Sequence, residues 1–148
     1  MACPLCVIEP RSHSFRPQGS IGNITYYYTA PVEATERIRS EEQYALFKRH
    51  LDGALQRGSW IWIFDCSGMG IDHYTSVAFM NNIVHTLIAE HDEALQEVLI
   101  VHPSMWIRSA VWALTPFMNA NLHRKIRFIA TKRDLDLEFL AKKVSHIA

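Results

Sequence analysis

Cysteine is scarce in this chain. Cys3, Cys6 and Cys66 are too few, and odd in number, for a disulfide framework. A chain without one suits a reducing compartment. Net charge is absent too: 15 basic residues meet 15 acidic ones, so no global field draws the chain to nucleic acid. Long apolar runs are missing, and none approaches the roughly 20 residues that cross a bilayer. The opening MACPLCVIEPRSH has no early basic cluster and no long apolar region, so it does not read as a signal peptide. No internal repeat is visible. What is there is one domain's worth of chain, 148 residues with 49% hydrophobic and 20% charged, enough to bury a full core. The expectation is a soluble, cytoplasmic protein.

Residues 1–23 hold Pro4, Pro10, Pro17, Gly19 and Gly22. No strand or helix period survives among them, and the expectation is an irregular or flexible arm ahead of a compact domain over 24–148. From residue 24 the pattern sharpens. ITYYYT (24–29) is β-branched and aromatic and predicts a strand. Ser40-Glu-Glu-Gln43 spells a capping box, and Tyr44, Phe47, Leu51 and Leu55 follow on one helical face. Gly58 should end that helix. WIWIFD (60–65) and EVLIVH (97–102) are nearly continuous apolar runs, as strands buried on both faces require. Between them Asp72 can cap a helix over about 72–95, with Phe79, Met80, Ile83, Val84, Leu87 and Ile88 on its apolar arc. Pro103 can open the next helix. IRFIA (126–130) predicts a further strand, and Asp134 a last helix with Leu137, Leu140 and Val144 inward. Alternating strands and helices argue a mainly parallel sheet covered by helices.

The segment between Pro103 and Pro116 is unusual. On a helical wheel Trp106, Ile107, Ala110, Val111, Ala113 and Leu114 make one apolar arc, which can cover a sheet. Met105 and Trp112 lie on the other side, beside Arg108 and Ser109. A helix apolar on both sides is normally buried by something: more of this chain, a ligand, a membrane or a partner. Pro116 should kink or end it, which makes a broken apolar lid over the sheet.

VLIVHPSMWIRSAVWALTPFMNANLHRKIRFI resembles the second half of a CRAL-TRIO domain, closest to the divergent branch that includes the BCH domains of Rho GTPase-activating proteins. The ordered set is His102-Pro103, Trp106, Trp112, Pro116-Phe117 and Lys125-Ile126, with WIWIFDCSGMG upstream. The resemblance spans roughly 60–130 well and 24–59 loosely. It implies a β-α superhelical CRAL-TRIO/STAS-like fold, no catalytic residues and no cofactor. It also implies a hydrophobic pocket between the sheet and a gate, here 104–121, with Phe79, Ile83, Trp106, Val111, Trp112 and Phe117 near the ligand. BCH members bind small GTPases or their regulators and self-associate. That leaves a protein-interaction scaffold, homodimeric and without a lipid pocket, as the alternative. The sequence lacks the N-terminal helical bundle of larger transfer proteins and the Leu-Pro-x-x-x-Gly-Gly-like segment after the last strand. Both losses favour the scaffold.

Other stretches carry weaker signals. DCSGMGIDHYTS (65–76) is similar to a STAS signature, but the hydroxyl that should follow the Asp is displaced to Thr75 and Ser76. Asp65, Ser67 and His73 do not sit in a nucleophile elbow and are assigned no catalysis. Cys3-Pro-Leu-Cys6 with His13 is half of a zinc site, since tetrahedral zinc takes four ligands; no metal is assigned. Arg124, Lys125, Arg127, Lys132 and Arg133 form a local basic cluster suited to an anionic headgroup, in a peripheral membrane contact, or to an acidic partner face.

Overall fold

A computed structural model describes residues 3–36, 38–70 and 77–147. The chain begins with a short helix α1 (Pro4–Ile8) and a hairpin of β1 (Arg16–Ile21) and β2 (Ile24–Thr29). Helix α2 (Glu41–Gln56), β3 (Trp60–Asp65), α3 (described from Val77 to Glu90) and β4 (Leu95–Val101) follow. Helix α4 (Met105–Leu114) runs through a 3-10 turn at Thr115–Phe117 into α5 (Ala120–Lys125), β5 (Ile126–Ile129) and α6 (Lys132–Ile147). The sheet order is β1-β2-β3-β4-β5, with β1 antiparallel and the others parallel.

From β2 to β5 every crossover steps the same way. Right-handed crossovers then place their helices on one face, and the packing agrees. Phe47 and Leu51 of α2, Val84 and Leu87 of α3, Ile107 and Leu114 of α4, and Leu122 of α5 share a core with Tyr27, Trp60, Trp62, Val98 and Ile100. The alternate residues Tyr26, Tyr28, Ile61, Ile63, Leu99 and Val101 face the other way and meet Leu135 and Phe139 of α6. This two-sided burial explains the unbroken apolar runs of β3 and β4.

Local chemistry sets the element ends. Ser40 Oγ accepts from the Gln43 N–H at 3.1 Å, one arm of a capping box. The Gln43 side chain does not reach back; it turns to His13 Nε2 at 3.0 Å. Helix α2 ends at Gln56 with Arg57 as its C-cap, and Gly58 takes φ +94, open to glycine for want of a Cβ. Helix α4 is capped by Ser104, whose Oγ accepts from Ile107 N–H at 3.2 Å, so Pro103 precedes the helix rather than opening it.

Four expectations need correction. Residues 16–21, placed in an irregular arm, form an edge strand, and Phe15 beside it is buried against Tyr27, Phe47, Trp60 and Trp62. An edge strand exposed along its length needs no alternation, and it tolerates Pro17. Helix α3 stops at Glu90, short of 95, because the fully buried His91 starts the turn into β4. Its predicted start at Asp72 lies outside the described residues. Thr86, outside the apolar arc expected for α3, is nevertheless buried where Tyr44 Oη of α2 meets its hydroxyl. On α6, Leu137, Leu140 and Val144 point outward, and Leu135, Phe139 and Lys142 face the sheet. Lys142 gains Glu97 on β4 as an ion partner at 2.8 Å, which suits it to that inner stripe.

Candidate functional site

The strands β2 and β3 end under α3 and α4, and an apolar cleft lies there. One cavity of about 120 Å³ is lined by Thr29, Phe47, Trp62, Phe64, Met69 and Met80 among others, and reaches His13 and Glu36 at its rim. A second of about 130 Å³ continues beneath α4, bounded by Val98, Ile100, Ala110, Val111, Leu114 and Met118. Trp62, Phe64, Met80, Ile83 and Ile107 line both, so the two are compartments of one cleft. The site sits at the carboxyl ends of parallel strands, where open α/β sheets hold ligands. Trp62 is held in its wall by an N–H donated to Thr29 Oγ1 at 2.8 Å.

Helix α4 is the roof. Ile107 and Leu114 are buried, Ala110 and Val111 half-buried. That four-residue stripe faces the sheet. Thr115 Oγ donates to the Val111 carbonyl at 3.0 Å, and Pro116 then closes a 3-10 turn for lack of an N–H. Outside, Met105 is 82% exposed, Trp106 60%, Trp112 79% and Phe117 52%. The expected two-faced helix is therefore present, with two changes: Trp106 and Ala113 are exposed and do not cover the sheet. Of the six residues expected near a ligand, Ile83 and Val111 line the cleft. Phe79 stacks on Tyr44 at 6.5 Å between ring centroids. Trp106, Trp112 and Phe117 lie on the outer surface of the roof.

The fold breaks up the expected basic cluster. Arg127 lies between Glu97 at 2.9 Å and Glu138, and Lys142 joins the same carboxylates. Those hydrogen bonds raise the Arg127 pKa further, and Lys142 and Arg127 hold the Glu97 carboxyl below its ordinary range although burial opposes them. Arg124 donates to Asn121 Oδ1 at 3.2 Å, and Lys125 to the Asp92 carbonyl. Lys132 lies over the Tyr28 ring at 5.9 Å, and Arg133 is exposed on α6. Acids distant in sequence reach the cluster through the β4–β5 pairing and α6, so it is free of acids only along the chain.

Beside the cleft Asp65 ends β3 in a buried carboxylate. It accepts from Tyr28 Oη at 2.5 Å and from Ser67 N–H and Oγ at 2.9 and 2.6 Å. Burial alone would raise its pKa, but these bonds and the nearby His102 bring it below the ordinary value. Through these three bonds the carboxylate joins β2, β3 and the loop after it.

A singly wound, mainly parallel sheet with a broken apolar helix over the strand ends defines the α/β architecture of the domain. The sequence profile of the CRAL/TRIO domain matches residues 2–145, and the chain belongs to the CRAL/TRIO family. Thirty-one solved chains match its fold. Among them the crystal structure of Sfh5 superposes with a TM-score of 0.61 at 8% identity, over 80% of this chain and 48% of that one. The likeness shows the fold, and the chain spans about half the length of Sfh5. No curated protein matches the sequence. No described helix is long and apolar enough to cross a membrane.

Proposed function

We propose that this domain binds a lipid or other small hydrophobic ligand in the cleft under α4 and has no catalytic role. The observation that carries the reading is the continuous apolar lining shared by the two compartments, roofed by a helix that is apolar outside as well. Compartments of 120 and 130 Å³ are small beside the roughly 300–1,000 Å³ of typical ligand pockets. An acyl chain therefore requires α4 to lift, with the 3-10 turn at Thr115–Phe117 as the hinge. The outer residues Met105, Trp106, Trp112 and Phe117 would meet a bilayer surface while the cleft is open, since aromatic side chains favour the membrane interface.

A second reading rests on the same exposed residues. In it they meet a protein, either a small GTPase regulator of the kind BCH domains bind or a second copy of this chain. The family profile favours the CRAL/TRIO reading over the STAS one; the displaced hydroxyls Thr75 and Ser76 lie outside the described residues.

Native mass spectrometry with organic extraction separates these readings. The lipid reading expects one apolar molecule per freshly purified chain. Ile83→Trp should fill the cleft, cost about 1–3 kcal/mol in overpacking, and leave a folded chain with ligand occupancy reduced at least about tenfold. An empty wild-type dimer would sink the lipid reading and favour the interaction surface.

A further inference from the structure

The amino-terminal segment and α2 bring together four groups that the sequence keeps apart. Cys3 precedes α1, Cys6 lies within it, His13 follows it, and His50 sits on the half-buried flank of α2. Cys3 Sγ and Cys6 Sγ each lie 3.6 Å from His13 Nδ1. His50 Nε2 lies 3.2 Å from Cys6 Sγ and 3.3 Å from His13 Nδ1. All four donor atoms fall within 4.8 Å of one another. We infer that Cys3, Cys6, His13 and His50 form a structural zinc site of the Cys2His2 type.

The edge lengths support this. Tetrahedral zinc with Zn–S near 2.3 Å and Zn–N near 2.0–2.1 Å has N–N edges of about 3.3 Å and S–N edges of about 3.5 Å. The observed N–N edge is 3.3 Å and the S–N edges are 3.2 and 3.6 Å. Two soft thiolates with two imidazoles match zinc better than magnesium or calcium, which take oxygen ligands. Zn2+ with two thiolates is also neutral overall, as suits a site where Cys3 and His13 are buried.

The surroundings are arranged for a ligand. His13 Nε2 faces Gln43 Oε1 at 3.0 Å, and Gln43 Nε2 donates to Glu36 Oε2 at 3.4 Å. An amide oriented by Glu36 presents its oxygen to His13, so the proton sits on Nε2 and the lone pair on Nδ1. That lone pair points at the two sulfurs and at His50 Nε2. Outer partners fix tautomer and ring orientation in this way at zinc sites. A groove lined by Val7, Arg49, Gly53 and Arg57 opens beside Cys3, Cys6 and His50 and provides an entry path.

The expectation of a half site thus fails for one reason: His50 is supplied by α2, in the pattern C-x2-C-x6-H-x36-H. The site would pin the segment carrying Phe15 to α2. Because His13 also rims the cleft, it would fix that wall of the cleft as well.

The test uses the full chain, purified without a histidine tag. Elemental analysis and native mass spectrometry should find about one zinc per chain, and cobalt(II) exchange should give the visible absorption of a tetrahedral site with a thiolate charge-transfer band. His50→Ala and Cys6→Ser should lose metal to below about a tenth of the wild-type content, four ligands being the structural norm. If those variants do not fold, Gln43→Ala should fold and bind zinc about 10- to 100-fold more weakly. A wild-type chain that is folded, metal-free and gives no tetrahedral cobalt spectrum would overturn the site. So would a Cys3–Cys6 disulfide in freshly prepared protein, or full zinc content in His50→Ala.

Discussion

Ile107→Glu should leave the chain unfolded or aggregated, while Trp112→Glu should leave it folded and melting within a few degrees of wild type. The two positions lie on one helix, five residues apart. Ile107 is 7% exposed in the wall of both compartments, and Trp112 is 79% exposed on the outer face. A carboxylate at 107 would enter an apolar cleft whose lining, among the described residues, holds no Lys or Arg to meet it. An unpaired buried charge costs several kcal/mol, against a total stability of about 5–15 kcal/mol for a domain. At 112 the same charge stays in water, and surface changes of this kind stay within about 0.5 kcal/mol. Far-UV circular dichroism melts with gel filtration read both outcomes. Collapse of Trp112→Glu would show that the residue is core and would remove the two-faced roof on which the lipid and interaction readings both stand. A folded Trp112→Glu that keeps its extracted ligand but releases it to vesicles more slowly would place the membrane contact on that face.

Much of the domain was legible because two-sided burial leaves a strong mark. WIWIFD and EVLIVH can be little else than central strands, and Phe47 and Leu51 announce the inner face of α2. Edges and outer layers leave weaker marks. β1 is exposed on both faces, so it carries no alternation to find. On α4 the wheel drew an arc wide enough to take in Trp106, but a helix lying on a sheet makes contact only along the narrower stripe of Ile107, Ala110, Val111 and Leu114. On α6 two apolar stripes compete. The one with more leucines looked inward, while the sheet took Leu135 and Phe139 together with Lys142 and its half-buried salt links. Arg127 read as a free cation because Glu97 and Glu138 reach it through strand pairing and helix docking. His50 was invisible as a ligand for the same reason. Its one sequence signal was a histidine three residues after Phe47 and one before Leu51, a polar group set at the border of a buried stripe.

Asp65→Ala should be among the most destabilising substitutions outside the apolar core, at about 2–4 kcal/mol, because it removes charge-assisted bonds and orphans a buried hydroxyl. Tyr28 is 7% exposed, and its hydroxyl lies in the sheet face covered by α6, with Asp65 as its acceptor at 2.5 Å. Tyr28→Phe should cost less, about 1–2 kcal/mol, since Ser67 still donates twice to the carboxylate. The double variant should cost clearly less than the two single losses together, because the Tyr28→Phe ring has no hydroxyl to strand. Acid should reveal the same carboxylate. Its folded pKa is depressed, so its stabilisation is complete above the ordinary value of 3.8 and is lost as pH falls through the lower folded value. Glu97 shifts in the same direction. The informative quantity is therefore the difference between wild type and Asp65→Asn. In urea melts that difference should be constant above about pH 5 and shrink below about pH 4, where the unfolded chain takes up the proton first. A difference that stays flat down to about pH 2 would mean that folding does not depress the Asp65 carboxyl, and strictly additive single and double variants would mean that Tyr28 and Asp65 do not act as a pair.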